Sequence, residues 1–538
     1  MSKIDFNKNN FIYKIINNYI LKNKKKKIIT RFPPEPNGHL HLGHIKSICI
    51  NFEIAKKKNG QCNLRFDDTN PTNEKKIFIF SIINDIKWLG YKIKKNIFFT
   101  SKYFKKIYKY AIKLIKKKLA YVDLSNIKII KKERGNFYKI GKKNIYRKNS
   151  IQKNLKLFKK MKNGKFKEGE ACLRAKINMK SSCIIMRDPI IYRIKFDYHH
   201  QTKKKWCIYP MYDFSHCISD SIEKITHSLC TLEFLENKKL YKWILKKIKV
   251  KNKPKQYEFS KLNIENTILS KRKIKKLIKK KKIQDWNDPR IHTISGLRRK
   301  GYTAKSLINF CKKSGITKKE NILQLSSLES CLKKELNYKI ERSMAIINPI
   351  KIIITNLPKN YKKILFIPKN PKNNNMGNKY IIFTNTLYID KYDIYNKKKK
   401  KYIIKKKIKL RYSYNIKIYK IKKKKNKNIF FCKYYKKTLG KIFKKIKIIH
   451  WISEKNSHLA KFRLYKPLFN LKNPELSKKF LNNINKKSLK IKKGYIESNI
   501  YTLKTNFHYQ FEREGYFYID YIKSTKKILN FNRTIKIK

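Results

Sequence analysis

Two histidines three residues apart, His41 and His44, close the run Arg31-Phe-Pro-Pro-Glu-Pro-Asn-Gly-His-Leu-His-Leu-Gly-His44. If a helix begins near His41, both share one face of its first turn, beside N–H groups that have no intrahelical partner. Such a turn attracts phosphate. Pro33, Pro34 and Pro36 keep the chain from turning helical early, and Gly38 and Gly43 leave room for a ligand to approach the backbone. For the histidines alone a polar turn is an equal alternative. Far downstream, Leu269-Ser-Lys-Arg-Lys273 concentrates ammonium groups after an apolar run and adds a second feature suited to phosphate. Asp67 and Asp68 end the strand pattern of residues 62–71. One of the pair reads as a helix N-cap, which leaves the other to meet an ammonium ion.

The elements that must hold these residues follow from periodicity. Residues 27–31 form a β-branched run that reads as a buried strand, and residues 45–57 carry apolar side chains at helical spacing. Strand, loop and helix therefore precede the strand at 62–66, and residues 72–89 are helical again. Such alternation argues for a parallel, Rossmann-like sheet with ligands beyond the carboxyl ends of its strands. From 101 to about 205 the alternation breaks down: a helix over 103–119, an irregular stretch around Phe137, another helix, and short strands at 172–176 and 183–188. This reads as an insertion that splits the sheet. The parent pattern resumes at Trp206-Cys-Ile-Tyr-Pro-Met-Tyr-Asp-Phe-Ser-His216, which puts Tyr212 and His216 at another carboxyl end. Tyr212 also reads as a half-buried core aromatic. A third end lies in residues 225–234. Residues 274–338 are helical, and beyond about 345 alternating Ile-rich runs broken by Asn-Pro and Pro-Lys-Asn clusters suggest β-barrels.

The chain has 538 residues, enough for several domains, and no stretch long and apolar enough to span a membrane. Its 138 Lys and Arg against 34 Asp and Glu give a formal net charge of +104, which suggests a polyanion such as RNA. Lys, Ile, Asn, Tyr and Phe are all over-used, however, and A+T-rich codons specify all five, so codon drift explains the same bias. The lysine run at 397–407 reads as a drift-enriched, solvated loop. Ten scattered cysteines form no Cys-x-x-Cys pair, which fits a reducing cytosol and offers no zinc site or disulfide framework. Residues 1–26 are basic but lack the core of a secretory leader and the composition of a mitochondrial one, and are expected to form a short amphipathic helix.

These residues resemble a known family, the bacterial-type glutaminyl-tRNA synthetases of class I. The likeness runs from Arg31 to Phe531-Asn-Arg-Thr534. It is carried by Pro33-Pro-Glu-Pro-Asn-Gly38, residues 62–71, His200-Gln201, residues 206–220, 226–234, 256–273 and 293–302, and Gln510-Phe-Glu-Arg-Glu-Gly-Tyr-Phe517. It implies an α/β Rossmann-like catalytic domain (1–100 and 206–260) split by an inserted α+β acceptor-stem-binding domain (101–205). A Ser-Lys loop and helical domain (261–338) would follow, then two antiparallel β-barrels, proximal (339–370 and 455–538) and distal (371–454), that read the anticodon. ATP, with Mg²⁺, would be held by Glu35, Pro36, Asn37, His41, Leu42, Gly43, His44, Ile45, Lys46, Ser47, Thr231, Lys261, Leu262, Leu269, Ser270 and Lys271. His41, His44 and Lys271 would stabilise charge on the departing diphosphate. Asp67 would take the α-ammonium of L-glutamine, with Tyr212, His216 and Cys230 around its side chain. Phe137 would wedge open the first acceptor pair of tRNA(Gln), Glu236 would meet the acceptor stem, and Arg342, Gln510 and Arg513 the anticodon. The family carries no prosthetic group or resident metal, and a cytoplasmic monomer is implied.

The nearest competitor is the archaeal and eukaryotic type of glutamyl-tRNA synthetase. A glutamate γ-carboxylate buried as an anion costs several kcal/mol without a countercharge, and that family is similar to Ala-Leu-Arg-Thr-Thr-Glu-Tyr where this chain reads Ser228-Leu-Cys-Thr-Leu-Glu-Phe234. Cys230 in place of an arginine implies an uncharged pocket and an amide substrate. Three departures stand out. Leu269 replaces the usual Met and Glu236 an Asp, while lysines overwrite part of the anticodon-reading loop near 397–401. A non-catalytic tRNA-binding relic and a small nucleotidyltransferase are the remaining alternatives. The intact His41, His44, Asp67, Ser270 and Lys271 weigh against the first, and the long C-terminal half against the second.

Overall fold

The computed structural model describes residues 10–23, 27–93, 97–396, 401–424, 427–441, 446–500 and 507–537. They fall into two compact units: residues up to Ile264 with Ile308–Leu323, and Glu265–Leu307 with the chain from Gln324 onward. Residues 1–9 and 24–26 of the expected N-terminal helix, and 397–400 of the lysine run, lie outside the described residues.

In the first unit, α1 (Phe11–Lys22) is capped by Asn10, whose Oδ1 accepts the N–H groups of Ile12 and Tyr13. β1 (Ile29–Phe32) leads through the proline-rich loop into α2 (Leu42–Lys57), then β2 (Gln61–Phe66), α3 (Lys76–Trp88) and β3 (Ile97–Phe99). The three strands pair in parallel with β2 in the middle. After an insertion come β8 (His227–Thr231) and β9 (Lys255–Phe259), again parallel. Thr226 donates its N–H to the Ile29 carbonyl and takes the Ile29 N–H on Oγ1, so β8 runs beside β1. The order is thus β3-β2-β1-β8-β9. It reverses between β1 and β8, where a doubly wound sheet opens its ligand crevice.

The insertion contains α4 (Phe104–Lys116), β4 (Ala120–Asp123), α5 (Ile127–Arg134), α6 (Ile151–Lys162), β5 (Cys172–Ala175), β6 (Ile190–Ile194) and β7 (Ile208–Pro210), followed by α7 (Tyr212–Ile222). β4 to β7 pair antiparallel in chain order. Two details differ from the sequence reading. β7, read as a strand of the parent sheet, closes the inserted one. Ile184–Met186, read as part of a strand, is a single 3₁₀ turn. Helix α8 (Asn237–Ile248) contributes Leu240 and Ile244 to the core around Phe104, Phe158, Leu173 and Phe214.

The second unit begins with the helices Lys271–Lys279, Ile294–Lys300 and Leu325–Leu336. Gly301 ends the second at φ +102°, and any Cβ there would fall 2.5 Å from that of Tyr518, so only glycine fits. Two seven-stranded sheets follow. The first and last strands of one are Arg342–Ser343 and Ala345–Ile346; those of the other are Ile448–Ile449 and Trp451–Ser453. Terminal strands that are chain neighbours bring each sheet back on itself as a nearly closed barrel. Pro349–Ile354 pairs within the second barrel, so the chain crosses over near 348 rather than at 370.

Candidate active site

His41 stands at the N-cap of α2 in extended conformation. Its N–H donates to His44 Nδ1 (3.1 Å) and its carbonyl accepts the His44 N–H (2.8 Å), which brings the two ring centres within 3.8 Å of each other, tilted by 44°, over the first turn. A neutral His44 therefore carries its proton on Nε2. The preceding loop is tied to the end of β2: Asp67 N–H donates to Pro34 and Lys75 N–H to Pro36, while Asn37 Nδ2 donates to Glu35 Oε2. Leu42, Ile45 and Lys46 turn inward. Lys46 donates to Ser260 Oγ (3.2 Å), and burial lowers its pKa. What Leu42, Ile45 and Lys46 can offer a phosphate is backbone N–H, not side chains.

A buried ionic cluster lies behind this loop. Arg31 on β1 donates from Nε to Asp220 Oδ1 (3.1 Å), from Nη1 to the Leu229 carbonyl (2.8 Å), and from Nη2 to Ser228 Oγ (2.8 Å) and Cys230 Sγ (3.3 Å). Arg65 on β2 donates to Asp67 Oδ1 (2.7 Å) and to Asp220 Oδ1 (2.7 Å). His216 sits between them, each ring nitrogen 3.0 Å from a guanidinium Nη2. Burial works to raise the Asp220 carboxyl, but Arg31, His216 and Arg65 hold it well below the ordinary range. Glu223, 3.6 Å from Arg65, is instead lifted by burial to about 7.

The paired aspartates have separate duties. Asp68 accepts the Ser101 N–H (2.8 Å) and hydroxyl (2.7 Å) at the start of a 3₁₀ turn, a capping role. Asp67 accepts from Arg65 and Thr100 on Oδ1 and leaves Oδ2 without a hydrogen bond among the described residues. His216 Nδ1 lies 3.6 Å from that Oδ2, and a buried carboxylate oxygen without a hydrogen bond is a natural seat for an ammonium ion.

Beside Asp67 a small hollow is lined by Tyr212, His216, Cys230, Phe234, Asn237, Tyr241 and others. Tyr212 stacks on His216 at 4.8 Å, and Tyr241 donates to Asp220 Oδ2 (2.9 Å). The structure thus gathers Tyr212, His216 and Cys230 at one wall. That wall is not uncharged, as Cys230 alone implied: Arg31 reaches it from β1 and, against the pull of burial, lowers the Cys230 thiol pKa. Both guanidiniums are paired with Asp67 and Asp220, and the same two carboxylates, against the pull of burial, raise His216 to about 9, so that its imidazolium shares their charge. The pairing of Arg31 and Arg65 with Asp220 escaped the sequence reading because these partners are 189 and 155 residues apart along the chain; an arginine inside each apolar strand was the available signal.

Asp68 also lies 3.2 Å from His200 and 3.9 Å from His199, the one group among the described residues with a cation site's outline. His199, however, directs Nε2 to the Asp68 carbonyl (3.0 Å) and takes the Gln201 and Thr202 N–H groups on Nδ1, so both nitrogens are committed.

Thr231 donates to Glu233 (2.8 Å) where β8 ends, and Lys261 and Leu262 follow β9. In the second unit, Ser270 N-caps the helix that Lys271 begins, and Leu269 N–H donates to Glu475 (2.9 Å).

Phe137 and Tyr138 stand 79% and 97% exposed at a loop tip. Arg187 donates to the carbonyls of Arg134, Asn136 and Lys139 beneath it, so the tip is braced. Glu236 lies in a basic groove with Lys238, Lys239 and Lys242. Arg342 and Gln510 are register partners, with Arg342 Nε and Gln510 Oε1 buried and without hydrogen bonds. Arg513 is held by Asp393 through two hydrogen bonds (2.6 and 3.1 Å).

With this geometry in hand, comparison with known proteins gives three matches to one family: residues 27–338 to the catalytic domain of class I tRNA synthetases (E and Q), and residues 341–435 and 448–520 to its anticodon-binding domains. A protein named glutamine–tRNA ligase from Buchnera aphidicola subsp. Baizongia pistaciae is 57% identical, covering 98% of each chain. One of the same name from Buchnera aphidicola subsp. Schizaphis graminum is 54% identical over all of this chain and 98% of its own. Another, from Aliivibrio salmonicida, is 48% identical over all of this chain and 99% of its own.

Proposed function

Because the chain belongs to the class I tRNA synthetases for E and Q, we propose that it joins L-glutamine to tRNA(Gln) at the expense of ATP, through a glutaminyl adenylate. The observation that carries the choice of amide is the balance of charge at the hollow: Arg31 and Arg65 are each spoken for by Asp220 and Asp67. A γ-carboxylate there would meet no guanidinium that is not already paired, and would have to compete with Asp67 and Asp220 for the His216 imidazolium while paying the cost of burying an anion. A γ-amide brings both a donor and an acceptor to Tyr212, Cys230 and His216 at no such cost.

Asp67 Oδ2 takes the α-ammonium and aims the α-carboxylate at the α-phosphate of MgATP. A carboxylate oxygen forms the new bond to phosphorus, and the bond to the β-phosphate breaks as diphosphate leaves with its electron pair. The amide dipoles of α2, with His41 and His44, stabilise the charge that builds on the diphosphate, so no side-chain nucleophile is needed. A ribose hydroxyl of the terminal adenosine then attacks the adenylate carbonyl and AMP departs. Phe137 opens the acceptor end, and Arg342, Gln510 and Arg513 take part in reading the anticodon.

Mg²⁺ arrives with the nucleotide, and the protein works as a cytoplasmic monomer; no helix among the described residues is long and apolar enough to cross a membrane. Single-turnover charging of total tRNA with labelled glutamine or glutamate, followed by sequencing of the charged species, tests the whole reading. Glutamine on tRNA(Gln) alone is the expected result. Glutamate on either tRNA would favour the glutamyl enzyme, and no charging would favour a binding relic.

A further inference from the structure

The hairpin Lys362–Pro368 and Asn378–Thr384 in the second unit is apolar on both faces. Its inner face, Leu365, Ile367, Ile381 and Phe383, belongs to a barrel core. A sheet with one face in the core ordinarily turns polar side chains outward. Here the outward residues are Ile364 (57% exposed), Phe366 (76%), Tyr380 (56%) and the half-buried Ile382. Phe366 faces Tyr380 across the strands, and Ile364 faces Ile382.

Resting on the reading of this chain as a tRNA ligase, we propose that this outer face is a stacking platform for unpaired bases of the bound tRNA, with Phe366 and Tyr380 as its rings. Charge identifies the occupant. No carboxylate occurs between Glu341 and Asp390, and Lys362, Lys363, Lys369 and Lys372 flank the rings. Of these, Lys363 turns to the other face, over the Tyr414 ring, and Lys362, Lys369 and Lys372 remain near the ends of the hairpin; aromatic faces with ammonium groups beside them suit single-stranded nucleic acid, whose bases stack while its phosphates are neutralised.

The hairpin is also fixed to the strand that bears Arg342. Arg342 N–H donates to the Lys369 carbonyl (2.8 Å). Lys379, next to Tyr380, is buried on Ser343 Oγ and Glu497 (2.6 Å each) and on Glu341 (3.0 Å). The hairpin and the strand that bears Arg342 are therefore held to one another by hydrogen bonds and buried ion pairs.

The test uses the full chain, the variants Phe366→Ser, Tyr380→Ser and their combination, and two probes: the anticodon stem-loop of tRNA(Gln) as an oligoribonucleotide, and a blunt duplex of the same stem. The doubly substituted protein should bind the stem-loop about tenfold or more weakly, with duplex affinity and the salt slope unchanged, because no phosphate contact is lost. In charging, KM for tRNA should rise while kcat holds. Equal stem-loop affinity for variant and native protein would overturn the platform and leave the rings as products of codon drift. Loss of self-association in the variant, by sedimentation, would overturn it in favour of a second copy as the occupant. Stem-loop binding needs no catalysis, so a failure of native protein to charge glutamine would count against the proposed function, not against the platform.

Discussion

At the scale of single residues the account turns on charges placed where water is absent. Glu223 shows how such placement is felt. Burial lifts its carboxyl from 4.5 to about 7, despite Arg65. A folded-state pKa above the unfolded one stabilises at low pH, fully so below about 4.5, and the gain is lost as pH rises through 7. At ~1.4 kcal/mol per pH unit the contribution is about 3 kcal/mol. Urea unfolding at pH 5 and pH 8 should therefore show a loss of stability at the higher pH that Glu223→Gln reduces, the remainder coming from His216, raised to about 9; the same pH slope in the variant would refute the assignment. Asp67→Asn should raise KM for glutamine roughly a hundredfold, about 3 kcal/mol for a charge-assisted bond, while ATP binding, followed by fluorescence of a nucleotide analogue, stays as it was. The histidine pair was legible in sequence because its spacing is local. That one of Asp67 and Asp68 caps and leaves the other for an ammonium ion was legible too, but the residues alone did not say which, since that is set by Ser101 and Arg65, and the pairing of Arg31 with Asp220 spans 189 residues.

Elements decide how precisely those residues are presented. The loop carrying Phe137 and Tyr138 is short, and Gly135 sits at φ +72°, where an added Cβ would strike the Lys139 carbonyl at 2.4 Å. Arg187 spans three of its carbonyls, so the exposed rings rest on a braced support rather than on a free tip. Arg187→Ala should loosen that support and raise KM for tRNA about tenfold, roughly 1.4 kcal/mol, with KM for glutamine unaffected; unchanged steady-state charging across a tRNA titration would count against the brace. Strand–loop–helix alternation was readable for α2 and β2 from period alone. It failed for β7, because the run Trp206-Cys-Ile-Tyr-Pro210 specifies a strand and says nothing of which sheet it joins. The same limit hid Pro349–Ile354, whose partners, Thr386–Asp390 and Lys427–Tyr435, are set by long-range register.

Across the whole molecule the dominant fact is a formal net charge of +104. Like charges at this density repel one another in the folded state, and added salt screens them within about 8–10 Å near physiological strength. The melting temperature should accordingly rise between low and moderate NaCl, while affinity for tRNA falls steeply over the same range; a melting temperature that drops on adding salt would contradict this. If most of the lysines reflect codon drift, the choice between glutamine and glutamate should barely move with salt, because that choice is made by matched, buried ions. The most direct test of this central claim is diphosphate–ATP exchange by the native protein, measured with tRNA present and with glutamine and glutamate side by side. The balanced hollow predicts exchange driven by glutamine and none above background with glutamate at equal concentration. Exchange driven by glutamate at a comparable or higher kcat/KM would mean that Arg31 is free to meet an anion, and the account would be wrong.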